Sequence, residues 1–202
     1  MNSIEDSNHV IPLLAEVGLY DCTGSSSWEI EDDHVITRIY GPEGVKQSKE
    51  NVQQAILDVE IHSEAGNKNK DALLQSYIKK TFEKILHLSK YPKTIIRIQV
   101  EIVSGKTDSP TTITAIFNSV SLALLNADFG MKCSLSASTV SVDGHEIGTV
   151  AWDTIGKNLL FCYQSTNEYM NGEQIVPAIE DTFVDCCEIS KMISAVLCKN
   201  RI

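Results

Sequence analysis

The chain has 202 residues, 43% of them hydrophobic, enough to bury a sizeable core within the usual size of one domain. Its 27 acidic and 17 basic residues leave a net charge of −10, which opposes autonomous binding of nucleic acid. Only Arg38, Arg97 and Arg201 are arginines, so bidentate phosphate recognition has few donors. No basic stretch followed by an apolar run opens the chain, and no segment approaches the roughly 18 apolar residues of a membrane span. A soluble, intracellular protein without membrane contact is expected.

Residues 1–12 are polar and aperiodic and read as a disordered tail, leaving 13–202 as a single domain. Segments 13–20 and 28–41 read as strands, split by a turn at 21–27 and a second turn at Glu31, Asp32 and Asp33. Gly41-Pro42 should end the third strand, because proline cannot donate to a ladder, and 43–54 becomes a polar loop carrying Lys46 and Lys49. Next, Ala55, Leu57, Val59 and Ile61 alternate with Ile56, Asp58, Glu60 and His62, the period of a half-buried strand. Asp58, Glu60 and His62 share its wet face, and an edge strand accounts for them better than a metal or acid–base site does.

A helix is predicted over 70–89, with Leu74, Ile78, Phe82 and Ile85 on one stripe. It stops before Tyr91-Pro92, since the residue ahead of a proline favours extended backbone. Ile96, Ile98, Val100 and Ile102 then mark a strand over 94–103. Ser109-Pro110 is a strong helix start, with an N-cap hydroxyl and proline at the first helical position. The helix that follows, to about 128, is apolar nearly all round apart from small Thr, Ser and Asn, and should be central and buried. Segment 131–142 is a strand of small residues whose few charges predict an edge in need of a covering partner. Asp143-Gly144 signals a hairpin, and strands near 146–152 and 158–164 follow. The final helix, over 171–197, carries Pro177, implying a late start or a kink. The six cysteines (Cys22, Cys133, Cys162, Cys186, Cys187, Cys198) show neither metal spacing nor a disulfide framework and read as reduced, buried small hydrophobes.

Several anchors recur in an order that resembles the RNase PH family, specifically the RNase PH-like subunits that form the ring of the eukaryotic RNA exosome. They are Glu16-Val17-Gly18-Leu19, Gly24-Ser25-Ser26, Gly41-Pro42, Tyr91-Pro92-Lys93 and the helix from Ala115 to Asp128. The resemblance covers about 14–200. It implies an α+β fold of the ribosomal protein S5 domain 2-like type, with mixed sheets around a central buried helix. The lead into Ala15 and the Gly-Ser-Ser segment look most like one non-catalytic type of ring subunit. Implied partners are other RNase PH-like ring subunits, S1/KH cap proteins, a separate hydrolytic exonuclease, and RNA held weakly within the assembly. Implied locations are the nucleus and nucleolus, and also the cytoplasm, with roles in rRNA maturation and RNA decay.

Active members of that family cleave RNA with inorganic phosphate, held by arginines and by the N-terminus of the central helix. The family's Gly-Thr-Arg-Thr-Ala element aligns with Thr111-Thr112-Ile113-Thr114-Ala115, so Ile113 stands in the arginine's place. Pro110 removes one amide donor, and Ser109 is expected to cap another. Lys79, Lys80 and Lys84 stand where arginines would be useful. The acidic pair also fails to match: Asp153 stands alone and reads as structural, with Glu146 left open as a displaced acid. The resemblance therefore implies no catalytic residue, no metal and no cofactor, a degenerate phosphate site at Ile113, and Lys46 and Lys49 as RNA-contact candidates. The alternative is an active phosphate-dependent 3′→5′ exoribonuclease.

Overall fold

A computed structural model of the chain describes residues 14–45, 51–63, 67–165 and 172–200. The proposed tail at 1–12 and both Lys46 and Lys49 lie outside the described residues. The elements are β1 (Leu14–Val17), β2 (Gly24–Ile30), β3 (Asp33–Gly44), β4 (Ile56–Ser63), α1 (Lys68–Ile85), β5 (Thr94–Ser104), α2 (Pro110–Asn126), β6 (Leu135–Val142), β7 (His145–Asp153), β8 (Asn158–Gln164) and α3 (Gly172–Asn200), with a 3₁₀ turn at Leu88–Lys90. They form two sheets, ordered β1-β2-β3-β5-β4 and β6-β7-β8. All neighbours are antiparallel except β4 and β5, whose parallel pairing is bridged by α1. No described helix is long and apolar enough to cross a membrane.

Periodicity explains the regular elements. Leu57, Val59 and Ile61 of β4 and Ile96, Ile98, Val100 and Ile102 of β5 are buried, while the alternate residues face outward. The stripe Leu74, Ile78, Phe82 and Ile85 of α1 is buried, and Asn67 caps the helix by accepting from the Asn69 amide at 3.0 Å. An aromatic run ties α1 to its neighbours: Phe82 stacks on Phe117 of α2, and Phe117 on Phe161 of β8, with centroids 6.0 and 4.5 Å apart.

α2 lies between the sheets and is buried from Pro110 through Leu124. Its small polar side chains are satisfied by specific partners. Ser119 bonds the Ser26 and Thr37 hydroxyls at 2.8 and 2.7 Å. Asn118 donates to the Ala137 carbonyl at 2.9 Å and accepts from its amide at 2.8 Å, while Ser121 donates to the Leu135 carbonyl. These side chains stand in for a neighbouring strand along the free edge of β6. The edge predicted to need a partner is thus covered within the chain, by α2 on one side and α3 across its face.

Four local expectations are corrected. The 24–27 segment is strand β2 rather than turn, because its serines are buried against α2 and bonded there. Gly24 is needed for proximity: a Cβ there would sit 2.5 Å from the Ala127 Cβ and 2.6 Å from the Ala123 carbonyl oxygen. β3 does not end at Gly41-Pro42; its ladder skips these two residues and resumes with Glu43 opposite Ile95. Only Cys186 among the six cysteines is buried, since Cys162 lies on edge strand β8 and Cys198 near the end of α3, both exposed. Burial pushes the Cys186 thiol far above its usual range. Of the two readings of Pro177, the late start does not hold, since α3 runs through it from Gly172.

Candidate functional site

The first turn of α2 is the place to look for the implied phosphate site. Ser109 occupies the N-cap position but makes no side-chain capping bond, which corrects the expectation that it occupies a donor. Pro110 sits at the start of the helix, and its carbonyl accepts from the Thr149 hydroxyl at 2.7 Å. Ile113 is 2% exposed. It lines a cavity of about 260 Å³ together with Leu74, Tyr77 and Tyr163, and Lys70 and Asp108 stand at the same cavity. Lys70 donates to Asp108 at 2.6 Å. That bond holds the Asp108 carboxyl below its usual range and the Lys70 ammonium above its own. Ile113 thus adds an apolar side chain to this lining, and the cation at the cavity, Lys70, is already engaged by Asp108.

On the other side of the same turn, carboxylates gather. Thr112 donates to Asp33 at 2.7 Å, and Thr111 donates to Glu146 at 2.7 Å. Asp33 arrives from the β2–β3 hairpin and Glu146 from the start of β7. Partial burial raises the Asp33 carboxyl; the Thr112 hydroxyl opposes this, and repulsion from Glu146 and Asp32 adds to it. Glu31 is raised by burial and then by Glu146, Asp33 and Asp32. Gly105, at φ +117°, admits this approach: a Cβ there would lie 2.5 Å from the Asp33 carboxylate and 2.7 Å from the Thr112 hydroxyl. Glu146, left open as a displaced acid, is thus committed to Thr111 at the helix start. Sequence reasoning had Glu31 and Asp33 only as turn residues; their acidity was visible, but not their nearness to α2.

The other sequence candidates do not join this turn. Asp153 is 7% exposed and accepts from the Ile155 amide at 3.0 Å, closing the β7–β8 turn, which is the structural role expected of it. Asp58, Glu60 and His62 lie on edge strand β4, where Glu60 accepts from Gln99 at 3.0 Å. Arg38 is paired with Glu101 at 2.8 Å and Arg97 with Glu43 at 3.3 Å, both on the outer face of the five-stranded sheet. Among the described residues, no group of three or more His, Cys, Asp and Glu has the geometry to hold a metal ion.

A buried central helix between a five-stranded and a three-stranded sheet, with one parallel strand pair, defines an RNase PH-type fold. Residues 12–129 match the model of the 3′ exoribonuclease family, domain 1, and the chain belongs to that family. It is similar to "Exosome complex component rrp46" of Schizosaccharomyces pombe, 26% identical over 153 residues, covering 72% of this chain and 66% of the relative. It is also similar to "Exosome complex component SKI6" of Saccharomyces cerevisiae, 24% identical, covering 67% of this chain and 63% of the relative. "Exosome complex exonuclease RRP46 homolog" of Arabidopsis thaliana is 26% identical over 110 residues, covering 54% of this chain and 45% of the relative. The matched stretches thus span less than two thirds of each of these relatives. Among solved structures, rice (Oryza sativa) Rrp46 superposes with a TM-score of 0.75 at 18% identity, covering 91% of this chain and 93% of that one. A chain of an archaeal exosome core gives 0.71 at 12% identity, covering 95% and 90%. The ring-subunit type indicated by the 15–26 segment is the Rrp46 type.

Proposed function

We propose that this chain is a non-catalytic, Rrp46-like ring subunit of the RNA exosome that helps build the channel threading RNA to a separate hydrolytic nuclease. Its neighbours would be other RNase PH-like subunits, with S1/KH proteins capping the ring. It would serve 3′→5′ RNA decay and rRNA maturation in the nucleus and nucleolus, and also in the cytoplasm. The relatives' names support the assembly. One observation carries the non-catalytic part: the helix turn that family catalysts would offer to phosphate is flanked here by Asp33, Glu146 and Glu31, with Ile113 in the arginine's place.

The magnitudes support this reading. Two like unit charges about 4 Å apart repel by about 4 kcal/mol at an effective dielectric constant of about 20. A helix N-terminus offsets only about 0.3–2 kcal/mol of that. An incoming phosphate would meet several carboxylates and, among the described residues, no free guanidinium. Thr111 and Thr112, which could have donated to it, already donate to the protein's own acids.

Two measurements test this reading. Co-expression with RNase PH-type ring subunits should yield a stable complex; a chain that stays apart from all of them is not a ring subunit. The complex, incubated with RNA and inorganic phosphate, should release no nucleoside diphosphates attributable to this chain. Their release, and its loss on Glu146→Gln, would establish the alternative reading of a phosphate-dependent exonuclease; the Arabidopsis relative's name carries the word exonuclease.

A further inference from the structure

Four lysines of one stretch, Lys80, Lys84, Lys90 and Lys93, are joined at one corner of the molecule by Lys132, which arrives from the far end of α2. The α2–β6 connection folds back onto the end of α1: the Lys132 amide donates to the Ile85 carbonyl at 2.7 Å, the His87 amide to the Gly130 carbonyl at 2.9 Å, and Leu86 bridges Met131. The Lys132 ammonium donates to the Lys84 carbonyl at 2.9 Å. Lys80 lies one helical turn before Lys84 on the same face. The Lys90 ammonium lies 3.3 Å from where a Cβ on Gly130 would sit. Lys93 follows across the same turn, its amide bonded to the Asn51 carbonyl at 3.0 Å. All five side chains are exposed.

The helix C-terminus accounts for two of them, because Lys84 and Lys132 face the negative end of the α1 dipole. It does not account for Lys80, Lys90 and Lys93. Among the described residues, the exposed acids on the same elements are Glu83 and Asp128, so five cations stand there against two anions in a chain of net charge −10. Elsewhere, Lys70, Arg38 and Arg97 are each held by a carboxylate. Leu86, Leu88 and Phe129 are buried beneath the corner, which leaves it without the apolar centre of a protein–protein interface. Compact ammonium groups without guanidinium forks suit contact with a phosphodiester backbone regardless of base sequence.

We propose that this corner, Lys80, Lys84, Lys90, Lys93 and Lys132, is a sequence-independent contact for the backbone of single-stranded RNA. The identity of the polyanion rests on the exosome reading above. The test uses the full chain, alone and co-assembled with its ring partners, and a fluorescent single-stranded oligouridylate titrated between 50 and 200 mM salt. The variant is Lys80→Gln, Lys90→Gln, Lys93→Gln, which leaves the two lysines at the end of α1 in place. Each single-strand phosphate contact contributes about 0.7 to the slope of log affinity against log salt. Losing three should flatten the slope by about 2, so the wild type loses about 18-fold more affinity than the variant over that salt range. An unchanged slope in a correctly assembled variant overturns the proposal. So does a variant that loses its ring partners while keeping the wild-type slope, which would make the corner a protein interface. If the wild-type chain fails to join a ring, the exosome reading falls, while the slope difference measured on the chain alone still decides the corner.

Discussion

α1 and α2 run side by side, and the two ends of the pair carry opposite charge. At the N-terminal end, Asp33 and Glu146 hold the α2 threonines, with Glu31 close by, and Ile113 turns an apolar side chain toward α1. At the other end, Lys84, Lys90 and Lys132 crowd the close of α1 and the connection leaving α2. The scaffold presents carboxylates at the start of α2 and offers cations a helix length away. The difference teaches that family membership fixes the frame, while the sign of the field at each end is set by a few side chains arriving from other elements.

The comparison presumes a rigid frame, and the largest effect should come from breaking it. Asn118→Ala removes both bonds to Ala137 and strands a buried amide and carbonyl. A loss of about 3 kcal/mol is expected in urea unfolding; a loss under about 1 kcal/mol would mean that α2 does not depend on that bridge.

Ile113→Arg probes the acidic end directly. A guanidinium at a 2% exposed position should cost about 2 kcal/mol even with Asp108 at the same cavity, and should yield no phosphorolysis, because Thr111 and Thr112 stay engaged by Glu146 and Asp33. Nucleoside diphosphates released by this variant would show that the flanking carboxylates are no barrier.

The smallest effect sharpens the comparison through pH. The Asp33 carboxyl is held above its ordinary 3.8, so the native state binds its proton more tightly than the unfolded chain does. Its contribution is fully present below pH 3.8 and is lost as pH rises through the raised native value. Asp33→Asn keeps an acceptor for Thr112 and removes the charge. The variant should gain about 0.5 kcal/mol at pH 7, a figure reduced for solvent screening, and little or nothing at pH 3.5. A variant that is less stable at pH 7 than at pH 3.5, relative to wild type, contradicts the assigned repulsion.

The regular elements were legible because they depend on short-range periodicity. β4, β5 and the stripe of α1 follow from alternation or from a 3.6-residue repeat, and the apolar run 113–125 announced the buried helix. The 24–27 segment was misread because Gly and Ser signal turns locally. Whether they are buried depends on Ser119, 93 residues from Ser26. The strand ladder past Gly41-Pro42 was likewise decided by β5, which recaptures Glu43 and Gly44. At the candidate site, Ile113 and its departure from the family element could be read from the chain. The carboxylates around it could not, since Thr112 and Asp33 are 79 residues apart.

By itself the sequence determined the order and type of most elements, the net charge, and the apolar character of the buried helix that carries Ile113. The tertiary structure alone decided which charges share a neighbourhood, the acids on the first turn of α2 and the lysines at the end of α1. The reason is physical: periodicity and capping act over a few residues along the chain, whereas Coulomb energy depends on separation through space, which only the packed sheets and helices define.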